Sequence, residues 1–266
     1  MTVRQGKNKI EVINSKNGIA KIEIKNGDIL STNSNTADSG DQLIGNKVYS
    51  YIIEDKLWNR KEVKVEITGL DIYIIENKED LKLFRTAINS GKTTATTKAY
   101  QIADIEMNKG KYIINEETGE IEFAEDAEKL ENISAGTFSG EYHGNNHTIS
   151  GLYGNYGLFY YCNKAKIDGI GIINSYLKLG SSSGAIIGYA QGNTILENCY
   201  SEATIEVMGD RVGGLVGETY NSSSAVQLTV NNCYNAGKIK REFGYSMVGG
   251  IGGFLYNANI SNCYNV

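Results

Sequence analysis

What most constrains this chain is a short glycine-bounded apolar block that returns four times. Its copies are Tyr156-Gly157-Leu158-Phe159-Tyr160, Ser183-Gly184-Ala185-Ile186-Ile187-Gly188, Val212-Gly213-Gly214-Leu215-Val216-Gly217 and Val248-Gly249-Gly250-Ile251-Gly252-Gly253, whose last residues are 28, 29 and 36 positions apart. A unit of that size cannot bury its own apolar face and must stack on its neighbours. Within one unit the strand-length pieces are Gly213 to Val216, Leu228 to Tyr234 and Lys238-Ile239-Lys240, separated by turns and without helical periodicity. Three such pieces suit one coil of a parallel β-helix, whereas a propeller blade runs to ~40 residues or more with four strands. The expected fold is therefore all-β, a right-handed parallel β-helix.

Stacking converts each repeated position into a column. The glycine pairs at 213–214 and 249–250 let neighbouring coils approach without an intervening Cβ. Leu158, Ile186, Leu215 and Ile251 then line the interior. A second column is expected from three identical triplets, Asn198-Cys199-Tyr200, Asn232-Cys233-Tyr234 and Asn262-Cys263-Tyr264. Alternation along a strand turns each cysteine inward and its neighbours outward or to a corner, with an inward amide ladder as the alternative for the asparagines. Thiols in a line cannot converge tetrahedrally on zinc, and a coil spacing of ~4.8 Å exceeds the ~3.5–4.5 Å between the Cβ atoms of a disulfide. They are therefore expected to be buried free thiols. Cys162 is out of register with the triplets and receives no role.

Ahead of the repeats the pattern differs. Residues 1–70 read as strands and turns: Lys9 to Ile13 and Ala20 to Ile24 alternate around Asn17-Gly18, a loop runs from Ser31 to Gly45, and a second pair, Val48 to Ile53 and Val63 to Ile67, flanks the turn at 54–59. This segment is expected to be a small β-sandwich, with Trp58 as a packing aromatic in its turn. Residues 71–266 form the second expected domain. It opens on a short helix capped by Asn77, with Leu81, Leu83, Phe84 and Ile88 on its apolar face and a stop at Gly91, which serves as a lid over the first coil. A strand from Tyr100 to Met107 follows, and the acidic stretch Glu116 to Glu131 reads as a solvated excursion.

Composition removes several function classes. With 26 basic against 31 acidic residues, a net charge of −5 and no basic cluster, nucleic acid and anionic membranes are not expected partners. A hydrophobic fraction of 41% excludes disorder, and no apolar run approaches the ~20 residues of a membrane span. The segment after Met1 is polar, so no secretory signal is read there. The last triplet stops at Val266, before the residue that corresponds to Val207 and Ile239, so the chain is expected to be a piece of a longer protein, incomplete at its carboxyl end. Proline is absent, and the abundance of Asn, Ile and Lys is read as a genomic rather than a physical signal.

Gly214-Leu215-Val216-Gly217 resembles the GLUG motif of bacterial surface proteins, among them adhesin-like proteins and the non-catalytic portions of immunoglobulin A peptidases. Asp80-Leu81 to Phe84, Asn89-Ser90-Gly91 and Tyr100 to Ile105 resemble the leader of such repeats, and Phe138 to Leu152 resembles the segment that introduces them. Tyr160, in place of the final glycine, and Gly252, in place of the bulky residue, depart from the pattern. The turn Glu54-Asp55-Lys56-Leu57-Trp58-Asn59 is similar to the closing turn of bacterial immunoglobulin-like modules. The resemblance implies a β-helical surface element and transfers no catalytic residue.

The candidate chemistry is sparse. His143 and His147 are four apart, but Gly144-Asn145-Asn146 between them is turn chemistry and the zincin glutamate is missing. Asp210-Arg211 and Asp168 are the nearest approach to the carboxylate and basic groups of a polysaccharide-degrading β-helix, and each is isolated. No catalytic, cofactor-binding or metal-ligating residue is assigned. The expected function is a non-enzymatic, extracellular cell-surface module, an adhesive element or a rigid spacer, whose partner is a host or cell-surface glycan or protein. A polysaccharide-degrading enzyme and the accessory region of a secreted peptidase are the alternatives.

Overall fold

A computed structural model describes residues 71–130, 136–219, 225–241 and 247–266, together with the backbone of six strands in the first 70 residues. Of those six, Thr2–Gln5, Asn8–Asn14, Ile19–Lys25 and Gln42–Ile44 form one antiparallel sheet in chain order. Ile10 lies opposite Ile24 and Val12 opposite Ile22, as the alternation predicted. Gln42–Ile44 pairs with Ile19 to Lys21. This corrects the loop expected from Ser31 to Gly45, because three residues among Ser, Asn and Gly are too few to show a period. Lys47–Glu54 and Arg60–Ile67 make a second antiparallel pair. The Asn17-Gly18 turn and the turn that holds Trp58 lie outside the described residues.

The helix spans Lys78–Asn89. The Asn77 side chain caps it, accepting from the backbone N–H groups of Glu79 at 3.0 Å and Asp80 at 3.1 Å. It ends at Gly91 with φ +64°, where the Lys92 N–H reaches the Ala87 carbonyl at 2.9 Å in a Schellman closure. Leu81, Phe84 and Ile88 are buried. Leu83 is only half-buried and Arg85 takes its place, because 81, 84, 85 and 88 share one face at helical spacing and 83 falls beside it. Phe84 enters a ring cluster with Tyr73, Phe138, Tyr142 and Phe159, centroids 5.1–6.3 Å apart. The helix thus packs on the rings at the start of the repeats.

From there the strands pair in parallel. One sheet orders Thr137–Phe138, Phe159–Asn163, Ile187–Gln191, Val216–Thr219 and Gly252–Phe254; a second runs through Glu141–Ser150, Lys166–Ile173, Thr194–Glu197, Leu228–Asn231 and Ala258–Ser261. A third orders Tyr153–Gly154, Tyr176–Leu179, Thr204–Val207 and Ile239–Lys240, and a fourth Ser183–Gly184, Val212–Gly213 and Val248–Gly249. Phe159, Ile187, Val216 and Gly252 are successive partners, reproducing the steps of 28, 29 and 36 residues. The longer last step is taken up between Thr219 and Leu228 and between Lys240 and Val248, where earlier units turn more tightly. One unit holds five strand pieces, such as 183–184, 187–191, 194–197, 200–201 and 204–207, and not the three expected. Two-residue strands leave no periodic trace.

Leu158, Ile186 and Leu215 are buried in line and Ile251 packs against them. Cys162 is fully buried in a neighbouring column with Phe138 and Ala190, and burial pushes its thiol pKa up. The strand expected from Tyr100 to Met107 is broken into Lys98–Gln101 and Ile105–Glu106. Buried Gln101 forces the break: its Nε2 donates to the Ala103 and Thr148 carbonyls, both at 2.9 Å, and its Oε1 accepts from the Tyr142 hydroxyl at 2.7 Å. The acidic stretch is not wholly a solvated excursion, since Ile121–Phe123 pairs antiparallel with Tyr112–Ile114, and Ala127 and Leu130 are buried.

The asparagines acquire a physical reason. Among the described residues eleven other than glycine have positive φ, and eight of them are asparagine: 145, 146, 174, 193, 198, 232, 257 and 262. Asparagine tolerates the left-handed region better than other side chains with a Cβ, so it is the residue of the corners between strand pieces, and of the register shift inside Glu141–Ser150. At these positions the abundance is conformational, not genomic.

Candidate functional site

The three Asn-Cys-Tyr triplets stack at one such corner, Tyr200 on Tyr234 on Tyr264. Their rings lie 4.8 and 5.0 Å apart, each pair 7° from parallel. Below Tyr200 the ladder starts at Gly171, where an added Cβ would sit 2.3 Å from the Tyr200 ring. The asparagines face solvent and not the core. Asn232 Nδ2 donates to Asn198 Oδ1 at 2.7 Å, Asn198 Nδ2 to Asp168 Oδ1 at 2.7 Å, and Asn262 Nδ2 steps sideways to Asn231 Oδ1 at 2.9 Å. The amide ladder therefore forms outside the core, and Asp168 is its foot.

The cysteines point inward and all are free. Cys199 and Cys233 are buried, and Cys263, in the last unit, is partly so. They do more than fill space: the thiols donate to the carbonyls of Glu197 at 2.9 Å, Asn231 at 3.2 Å and Ser261 at 3.0 Å, each two residues before its cysteine and just ahead of the triplet. The Cys199 N–H in turn meets Cys233 Sγ at 3.4 Å. Burial pushes the Cys199 thiol well above its ordinary range. The Asn231 and Ser261 carbonyls also accept the Asn198 and Asn232 N–H groups of the preceding unit, at 3.1 and 3.2 Å, so the thiol is a second donor to a carbonyl beside a left-handed asparagine.

A groove of about 380 Å³ runs along this corner, lined by Asn146, Asn198, Cys199, Tyr200, Asn232 and Tyr234 among others. Because the rings stack on one another, they present edges and hydroxyls outward rather than open faces. Desolvation, reinforced by the Glu202 carboxylate, raises the pKa of the Tyr200 and Tyr234 phenols, so they stay neutral. Above the Asp168 carboxylate at its foot, the corner offers a row of uncharged donors and acceptors.

The other candidates are each occupied. His143 stacks on Tyr100 at 5.0 Å and its Nε2 lies 3.1 Å from Glu141 Oε2; His147 Nδ1 lies 3.2 Å from Asp104 Oδ1. Both lie on strand Glu141–Ser150, whose register shifts between them, and not on a helix. Arg211 reaches Glu218 Oε1 at 2.7 Å and Asp210 Oδ2 at 3.5 Å, while Asp210 Oδ1 accepts the Met247 N–H at 2.9 Å. Ser182, one unit earlier, donates to the other Glu218 oxygen. Three successive units are tied together there, and the sequence reading missed Glu218 and Ser182 because neither repeats. Tyr161 and Tyr189 form a second outer stack at 4.9 Å, which their 28-residue spacing, that of the first repeat step, could have revealed.

Among solved structures, one described as a "putative immunoglobulin A1 protease" from Bacteroides ovatus is similar at 17% identity and a TM-score of 0.41, covering 73% of this chain and 74% of the other, a likeness too distant to bear on function. No curated protein matches. The family model of the GLUG motif matches residues 180–206, which span one complete passage through the four sheets. One unit of the stacked repeats is thus similar to the GLUG motif.

Proposed function

We propose that the chain is a non-enzymatic surface module of a larger extracellular protein: a right-handed parallel β-helix over residues 71–266, preceded by an immunoglobulin-like β-sandwich over 1–70. Of the two roles open to it, adhesion and spacing, the corner favours adhesion to a hydroxyl-rich ligand, a glycan. The observation that carries this is the neutral row of stacked tyrosine edges and laddered amides beside a groove. Hydroxyls exchange hydrogen bonds with such groups without desolvating a charge. Support against catalysis comes from the carboxylates, since Asp168 is held by Asn198 and Asp210 by Arg211 and the Met247 backbone. No helix among the described residues is long and apolar enough to cross a membrane.

A glycan array probed with the purified protein tests adhesion. Binding that weakens in Tyr234→Ala supports it, and a blank array leaves the spacer role. Turnover of an acidic polysaccharide by the purified chain would overturn the non-enzymatic assignment.

A further inference from the structure

Under the helix, in a cavity that shares no lining residue with the tyrosine corner, a buried cation lacks a counter-charge. Arg85 is 5% exposed, yet its Nη1 is buried without a hydrogen-bond partner. One turn on, Asn89 Oδ1 is likewise buried and unpartnered. Both line a cavity of about 260 Å³ whose walls include Lys82, Glu128, Lys129 and Tyr153. Desolvation lowers the pKa of Arg85 to about 10, which leaves it protonated at neutral pH. Glu128, the one carboxylate in those walls, is paired with Lys82, and the Lys129 ammonium over the Tyr153 ring at 5.8 Å adds a further positive charge, so the guanidinium is left without a counter-charge.

Removing one partner from a buried ion pair is among the costlier defects a fold can carry, whereas an incoming anion turns the same group into a strong contact. The remaining walls select the anion. A guanidinium is a planar fork that matches a carboxylate at two points. The Asn89 oxygen requires a donor, which a hydroxyl supplies. Met107, Leu130 and Leu152 add an apolar side against which a carbon ring can rest. We propose that this cavity binds a hydroxylated carboxylate, the chemistry of an acidic sugar, with the carboxylate on Arg85 and a hydroxyl donating to Asn89. It is a second site, and it stands whether or not the tyrosine corner binds a glycan.

Calorimetric titration of the full chain with D-glucuronate, D-glucose and inorganic sulfate tests the assignment. Saturable binding is expected for glucuronate alone. Arg85→Met should abolish it while melting at or above the parent temperature, because the substitution removes an unpaired buried charge. Asn89→Ala should weaken it about tenfold through the loss of one hydrogen bond. Should Arg85→Met fail to fold, Arg85→Lys replaces it, with charge retained, the fork lost and binding again weakened. Equal binding of glucose or sulfate, undiminished binding in a folded Arg85 variant, or no saturable response to glucuronate would each overturn the proposal.

Discussion

Replacing Gly213 by alanine tests the packing of the parallel units at one of its tightest points. A Cβ built there would lie 2.0 Å from the Val216 carbonyl oxygen, 2.7 Å from Gly252 Cα and 2.8 Å from the Gly253 nitrogen, all of them backbone. Gly213 is paired with Gly184 on one side and Gly249 on the other, so relief requires moving two neighbouring units. Overpacking that side chains can absorb costs about 1–3 kcal/mol. With only backbone in the way, the upper end of that range is expected. For a cooperative unit of this size, ~3 kcal/mol corresponds to a melting temperature lower by roughly 6–12 °C. Gly180→Ala is the internal control, because nothing lies within 4 Å of its Cβ and its backbone is outside the left-handed region. There the loss of unfolded-state freedom should stabilise by about 0.4–1 kcal/mol. Thermal unfolding followed by circular dichroism compares the two. If Gly213→Ala melts within about 2 °C of Gly180→Ala, the close approach of the units is wrong.

Leu215→Ala, which empties a fully buried position in the central column, should cost about 2–5 kcal/mol in urea unfolding, and more than Ile251→Ala in the partly covered last unit. Cys162 and Cys199, with thiols raised by burial, should resist Ellman's reagent at pH 8 until the chain unfolds, with partly exposed Cys263 reacting first; rapid labelling of all four would contradict the inward columns. The Glu206 carboxyl is held below its usual range by the Tyr176 hydroxyl and then by Lys178. A depressed carboxylate stabilises the fold above its unfolded pKa of about 4.3 and loses that contribution as pH falls through the folded value. The urea midpoint of the parent should therefore drop more steeply below pH 5 than that of Glu206→Gln, and parallel curves would remove Glu206 from the acid response.

The repeat was legible because stacking demands that one residue type recur at one phase: Leu158, Ile186 and Leu215 line up as their spacing required, and so do the three cysteines. The helix was legible from its ends, since Asn77 and Gly91 satisfy local geometry that depends on adjacent residues alone. The fourth sheet was not, because strands as short as Val212–Gly213 and Val248–Gly249 exist only through their neighbours. Glu218 and Ser182 were hidden for a related reason: an inter-unit tie that occurs once leaves no pattern.

What the sequence alone determined is the period of this protein, the residues that share a column and the inward turn of its cysteines, since alternation and spacing are properties of a line of residues. What only the tertiary structure decided is the outward amide ladder, the stacking of tyrosines that hides their faces, and the burial of Arg85 beside Asn89 with no partner for either unpaired atom. Those depend on left-handed corners and on side chains brought together from separate elements, and contacts of that kind are set by folding in three dimensions.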